Sequence, residues 1–371
     1  MTKYNFNNAV PFVTTHAGEV IKDELSARGM KQSELSALTG IQKPILNDVI
    51  KGRRSLTAEM ALLIENAIGV PAQYLMELQN QYELDCAKMS ERVVQQTKML
   101  DIWNIIKEHV SILFFKKVGI VKGDVAEDVK RLFDVFSVDN VDDFLGLKAR
   151  EMEYSYFRKS DKVTTNPVDI FSWKYYCYYL SRNDKTVLCP FNKHADMQAL
   201  IAELNDIFKE NMDTVNKVKN AFNKVGIRFL VVNKSGQVPV DGMSFWIDGN
   251  PTIVVTKRID SIDNFAFTVL HETGHVFKHL SRDGNAMINL AVDRKSCEEK
   301  EADDFALNAI LPREEWRAFM AKTRDVLPHK IASYIKKEAE EHNINPQLLF
   351  GRYKHDIGVY RIKKHFETKI L

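Results

Sequence analysis

The tightest constraint in the 371-residue chain is the run FTVLHETGHVFKHL at positions 267–280. His271 and His275 are four residues apart, so on an α-helix they share one face, about 6 Å apart along the axis. Two imidazoles so placed can hold one Zn2+ ion, and Glu272 beside the first can reach a water at that ion. Zinc brings such a water toward neutral pKa, and a neighbouring carboxylate can remove its proton as the oxygen attacks a carbonyl. The pattern therefore demands a helix with one face turned to other polar groups. His279 is eight residues from His271, about 12 Å up the axis, and cannot share the ion on a straight helix. It is read as a rim or packing residue. The longer pattern H-E-x-x-H-x-x-G-x-x-H would need glycine at 278 and histidine at 281, where the chain has Lys278 and Ser281.

A third ligand must come from elsewhere, and SCEEKEADDFALNAILP offers it. Ala302, Ala306, Ala309 and Ile310 form the inner stripe of a helix opened by Glu298, Glu299 and Glu301. Glu299 points most nearly along that stripe, Glu298 almost as well, and Glu301 lies about a quarter turn away. Asp303, four after Glu299, shares its face and is placed to accept the second N–H of a metal histidine.

A different grammar occupies the start of the chain. KQSELSALTGIQKPILNDVIKGRRS reads as a helix capped by Ser33, a turn at Thr39-Gly40, and a second helix. Ile41, Leu46 and Val49 face inward, leaving Gln42, Lys43, Asn47 and Asp48 outside. Asn47 and Lys43 are of the types that read base edges in the major groove. Gln32, Arg53 and Arg54 are placed for phosphates. Lys plus Arg and Asp plus Glu each number eight over residues 1–80, and Asp48 would repel phosphate, so the pattern rather than the charge points to double-stranded DNA.

Between these ends the reading is coarser. Leu25, Leu35, Leu38, Ile41, Ile45, Leu46, Val49, Leu62, Leu63 and Ile68 supply the expected N-terminal core. Residues 89–125 read as one long bent helix, and 126–205 as helices interrupted by loops. The aromatic block FSWKYYCYYL at 171–180 is read as core or interface rather than a ligand platform. VGIRFLVV reads as a strand, and GMSFWIDGNPTIVVT as a hairpin through DGNP. Helices are expected at 262–280, 296–310, 313–322, 328–342 and 346–354. The chain is thus multidomain: an all-α helix-turn-helix domain at 1–88, a helical middle region at 89–205, and an α+β zincin-like domain at 206–371 with a small antiparallel sheet. Four cysteines without C-x-x-C pairing, no leader-like start and no membrane-length apolar run fit a cytoplasmic chain without membrane contact.

Residues 16–85, from HAGEVIKDEL to LQNQYELD, resemble the DNA-binding domain of HigA-type antitoxins within the XRE (lambda-repressor-like) group. That resemblance implies five helices, a homodimer and a palindromic operator. Ser36, where alanine is usual, and Asp48 depart from the pattern. The C-terminal segments VDGMSFWIDGNPTIVVTKRIDSIDNFAFTVLHETGHVFKHL and EKEADDFALNAILP resemble the ImmA/IrrE metallopeptidase-like family. This second resemblance implies His271, His275 and Glu299 as zinc ligands and Glu272 as general base. Glu299 and Asp303 also fit gluzincin spacing. His329, His342, His355 and Tyr353 are the candidates for stabilising an oxyanion. The leading expectation is a DNA-binding regulator whose zinc-dependent endopeptidase cleaves a regulatory protein. The alternative is an antitoxin and autorepressor that binds a toxin and keeps the metal fold as a sensor or interaction module.

Overall fold

The computed structural model describes residues 15–156, 166–193, 197–232, 240–256, 261–281, 287–290, 296–358 and 366–370. Arg258 and Asp260, part of the resemblance to the second family, lie outside them. The chain divides into two compact units, Met1–Trp103 and Asn104–Leu371. No described helix is long and apolar enough to cross a membrane.

The first unit opens with α1 (Ala17–Ala27), α2 (Gln32–Thr39), α3 (Lys43–Ile50), α4 (Ala58–Ile68) and α5 (Ala72–Met89). Their core is built from Ala17, Ile21, Leu35, Leu46, Val49, Ala61, Ile64, Ile68 and Leu75. Leu38, Leu62 and Leu63, expected inside, are exposed. On α4 the inner stripe runs Ala61, Ile64, Ile68, and the small Ala61 occupies the place that a count of large apolar residues assigns to its neighbours. Gly18 lets α1 cross α3 closely: a Cβ there would lie 2.4 Å from the Val49 carbonyl oxygen and 2.6 Å from that of Ile50. The expected turn is present, with Gly40 at φ +69°. The Ser36 hydroxyl donates to the Ile41 carbonyl across it, at 2.6 Å, which accounts for serine there. The α2 cap differs from expectation. The helix begins at Gln32, and the Lys31 N–H donates to the Glu34 carboxylate, so Ser33 lies inside the first turn.

Residues 89–125 are not one helix. α6 (Glu91–His109) and α7 (Ile112–Lys117) are separated from α5 and from each other where Ser90 and Ser111 take non-helical ψ values of 118° and 90°. α8 (Val125–Phe136), α9 (Val141–Tyr156), α10 (Pro167–Asn183), α11 (Met197–Glu210) and α12 (Thr214–Lys224) follow. The aromatic block forms α10, and its Phe171, Trp173, Tyr175 and Cys177 are buried. Phe171 stacks on Phe136 at 5.1 Å, and Tyr178 meets Phe245 edge-on at 4.5 Å. The Ser181 and Thr252 hydroxyls are 3.0 Å apart, so α10 joins the sheet and residues 104–371 pack as one unit.

The sheet is mixed rather than antiparallel. β1 (Arg228–Val232), β2 (Val240–Ile247), β3 (Asn250–Thr256) and β4 (Met287–Leu290) lie in the order β1-β3-β2-β4, with β1 parallel to β3 and the other pairings antiparallel. The expected hairpin joins β2 to β3 through Asp248 and Gly249, both at positive φ (49° and 83°), which suits the twist of paired strands. Period-2 patterning identifies strands but not their order, and β3 inserts between β1 and β2. α13 (Ile262–Lys278) packs on β2 and β3 and is buried along nearly its whole length. α14 (Cys297–Ile310) lies beside it, and α15 (Arg313–Thr323), a 3₁₀ turn at Pro328–Lys330, α16 (Ile331–Glu341) and α17 (Pro346–Asp356) complete the unit.

Candidate functional site

α13 carries His271, Glu272 and His275 with no exposed surface on any of them. α14 lies close against it because Gly274 has no side chain: a Cβ there would sit 3.0 Å from the Phe305 ring. That approach brings Glu299 to the two histidines. His271 Nε2 and His275 Nε2 are 3.0 Å apart, and the Glu299 oxygens lie 3.2 Å from the first and 3.3 Å from the second. Ser296 caps α14 by accepting the Glu299 N–H, which fixes the first turn and the direction of the carboxylate.

These three residues form the one cluster, among the described residues, whose ligand atoms fall within 4.8 Å of one another. The donor set, two imidazoles and a carboxylate, suits zinc. A tetrahedral ion with ligand bonds near 2.05 Å would hold its ligand atoms about 3.3 Å apart, close to the separations found. Glu299 Oε2 has no hydrogen-bond partner among the described residues, as expected of an atom facing a cation position. Burial opposes charge on both His271 and Glu299. The neighbouring carboxylates of Asp303 and Glu299 nonetheless raise His271 to about 9. The two histidines hold Glu299 down at about 2.

Asp303 Oδ1 lies 2.9 Å from His271 Nδ1, where it can accept the second ring N–H. Glu298 and Glu301, left open as ligands on sequence grounds, do not join the cluster. Glu301 instead faces His279, with Oε2 3.2 Å from Nε2. His279 is not a bystander on the rim: its Nδ1 lies 3.0 Å from His275 Nδ1.

Both carboxylate oxygens of Glu272 are buried, with no hydrogen-bond partner among the described residues. Burial pushes this carboxyl up to about 8, against the opposing pull of His271. Gly242 on β2 makes the space for it, since a Cβ there would fall 2.5 Å from Glu272 Oε1. Sequence reasoning missed Gly242, although a glycine inside a strand marks a close approach and DGMSF displayed one. None of the oxyanion candidates makes an observed contact with this cluster. His342 pairs with Glu315, His355 with Asp356, Tyr353 packs at the core, and His329 lies in the 3₁₀ turn.

In the first unit, Ile41, Leu46 and Val49 are buried as expected. Gln42, Lys43 and Arg54 are exposed, while Gln32, Asn47 and Asp48 are partly so. Arg53 is tied back to α3. Its Nε and Nη2 donate to Asp48 Oδ1 at 3.0 and 2.6 Å, so the residue expected to repel phosphate is paired with one expected to bind it.

Two family models match the chain: one described as helix-turn-helix over residues 21–75, the other as IrrE N-terminal-like domain over residues 222–343. No curated protein matches it. Solved structures resemble only about a fifth of it. The Pseudomonas aeruginosa antitoxin HigA with the higBA promoter is 29% identical, over 20% of this chain and 83% of that one, with a TM-score of 0.20. A Pseudomonas aeruginosa protein in complex with its 18 bp operator DNA is 28% identical, over 21% and 84%, with a TM-score of 0.20. A hypothetical protein from E. coli is 22% identical, over 23% and 89%, with a TM-score of 0.23.

Proposed function

The chain carries a helix-turn-helix domain and an IrrE N-terminal-like domain, and from that pairing we propose a DNA-binding regulator that cleaves a partner protein at a zinc-dependent endopeptidase site. The observation that carries the proposal is Glu272, a carboxyl group with no exposed surface and no hydrogen-bond partner among the described residues, beside the convergent His271, His275 and Glu299. Burying such a group unpaired is costly. Its position is that of a base, and a carboxyl that ionises near neutrality suits proton abstraction.

His271, His275 and Glu299 would hold the ion, with Asp303 fixing the ring of His271. Bound zinc supplies Lewis acidity toward a peptide carbonyl and an acidified water. Glu272 takes the proton of the attacking water and returns it to the leaving amine. At the other end, Gln42, Lys43 and Asn47 reach base edges, while Gln32, Arg53 and Arg54 rest on phosphates. A homodimer would match a palindromic operator, and a cytoplasmic setting would keep the exposed thiols of Cys189 and Cys297 reduced.

The test incubates the zinc-loaded full chain with the proteins encoded beside it. Cleavage of one of them should disappear in Glu272→Gln while zinc content is retained. Equal cleavage by that variant would refute the mechanism. Stoichiometric binding without cleavage would instead support the antitoxin reading suggested by residues 16–85.

A further inference from the structure

The two histidines of the cluster are each held by a neighbour, and only one of those neighbours was foreseen. Asp303 holds His271. On the other side, α13 ends at Lys278 and His279 is its C-cap. The backbone N–H groups of His279 and Leu280 both donate to the His275 carbonyl, at 2.9 and 2.8 Å. The His279 ring is thereby turned back along the helix, with 8% of its side-chain surface exposed. Its centroid lies 5.1 Å from that of His275 and its Nδ1 is 3.0 Å from His275 Nδ1. Its Nε2 is 3.2 Å from Glu301 Oε2 on α14.

We propose that His279 is the residue that positions His275 for a metal ion, with Glu301 supporting it from behind. The inference rests on reading His275 as a ligand through Nε2. A neutral imidazole carries one ring proton, so a ligand using Nε2 has its proton on Nδ1. That N–H donates to His279 Nδ1, which must then be the bare nitrogen. His279 accordingly carries its own proton on Nε2 and donates it to Glu301. One ligand thus uses a carboxylate directly and the other reaches a carboxylate through a second imidazole.

The test measures zinc affinity of the full chain by competition with a chromophoric chelator. His279→Leu removes the acceptor and should weaken binding about 10–100-fold. His279→Asn places a carbonyl oxygen where Nδ1 stood and should bind nearly as the parent does. Glu301→Ala should weaken binding in the same direction. Long-range proton–nitrogen NMR of the zinc-loaded parent should show His279 as the Nε2–H tautomer. A parent that binds no zinc overturns the ligand reading and this inference with it. A parent that binds zinc overturns this inference alone under any of three results: His279→Leu binds equally well, His279→Asn is as weak as His279→Leu, or His279 carries its proton on Nδ1. The tautomer result needs no variant to fold.

Discussion

Replacing Gly242 by alanine would set a methyl carbon 2.5 Å from Glu272 Oε1, 2.8 Å from its Cγ and 2.9 Å from its Cδ. An ordinary contact is about 3.4 Å, so the carboxylate must move by about 0.9 Å, the difference from the 2.5 Å approach. Glu272 has no exposed surface, so it cannot swing out into solvent. Forced overpacking of this kind costs about 1–3 kcal/mol. The three closest atoms all belong to the Glu272 side chain, so Glu272→Ala removes the most severe conflict. Gly242→Ala should therefore be destabilising in the parent and close to neutral in the Glu272→Ala background. The resulting coupling is about 1–3 kcal/mol, well above the scatter of independent sites. Calorimetry on the metal-stripped chain would read it, at roughly 2–4 °C per kcal/mol for a domain near this size. In the zinc-loaded chain the same substitution should lower cleavage about 100-fold, because a 1 Å misplacement of a reacting group costs that much. Zinc affinity should hardly change. Equal destabilisation by Gly242→Ala with and without the Glu272 side chain would refute the reasoning.

Three further outcomes follow from the geometry. Glu299→Ala should cost more zinc affinity than the 10–100-fold typical of a lost supporting partner, whereas Glu298→Ala should leave metal content unchanged; metal analysis after dialysis distinguishes them. Arg54→Ala should weaken binding to all duplexes alike and reduce the salt-dependence slope by about 1, measured by anisotropy across a salt series on the DNA upstream of the gene. Gly18→Ala drives a Cβ against the Val49 and Ile50 carbonyl oxygens, which are backbone and cannot rotate away. It should lower the melting temperature of the first unit and reduce DNA affinity, since α3 is what it displaces.

Much of this was legible because the chemistry lies in local patterns. HETGH and EKEADD each fix a spacing on one helix, and the structure places both helices side by side. The turn at Gly40, the hairpin at Asp248-Gly249 and the inward set Ile41, Leu46, Val49 follow from backbone φ and helical period alone. The order of strands was not legible, because β1 pairs with β3 by a contact that no alternation records. Leu38, Leu62 and Leu63 misled for a related reason. They are apolar, but a core is filled by the residues on the correct face, and on α4 that face begins at Ala61.

His279 shows why an argument sound for one interaction can fail for its neighbour. Axial rise forbids His271 and His279 from sharing an ion, and His279 is not among the three residues whose donor atoms converge. The same rise separates His275 from His279 by four residues, the very interval that brings His271 to His275. A spacing that lets two imidazoles meet at one metal also lets the next imidazole meet the second ring from its far side. The third histidine lies too far from the first to share an ion with it and close enough to the second to meet its ring. Gly242 is the complementary case, a residue that acts by lacking atoms. Its role became visible only when β2 and α13 were seen in contact. His279 touches His275 and Gly242 touches Glu272, so on the proposed reading changes at either should alter how the metal and the proton acceptor are held before they alter what the site recognises.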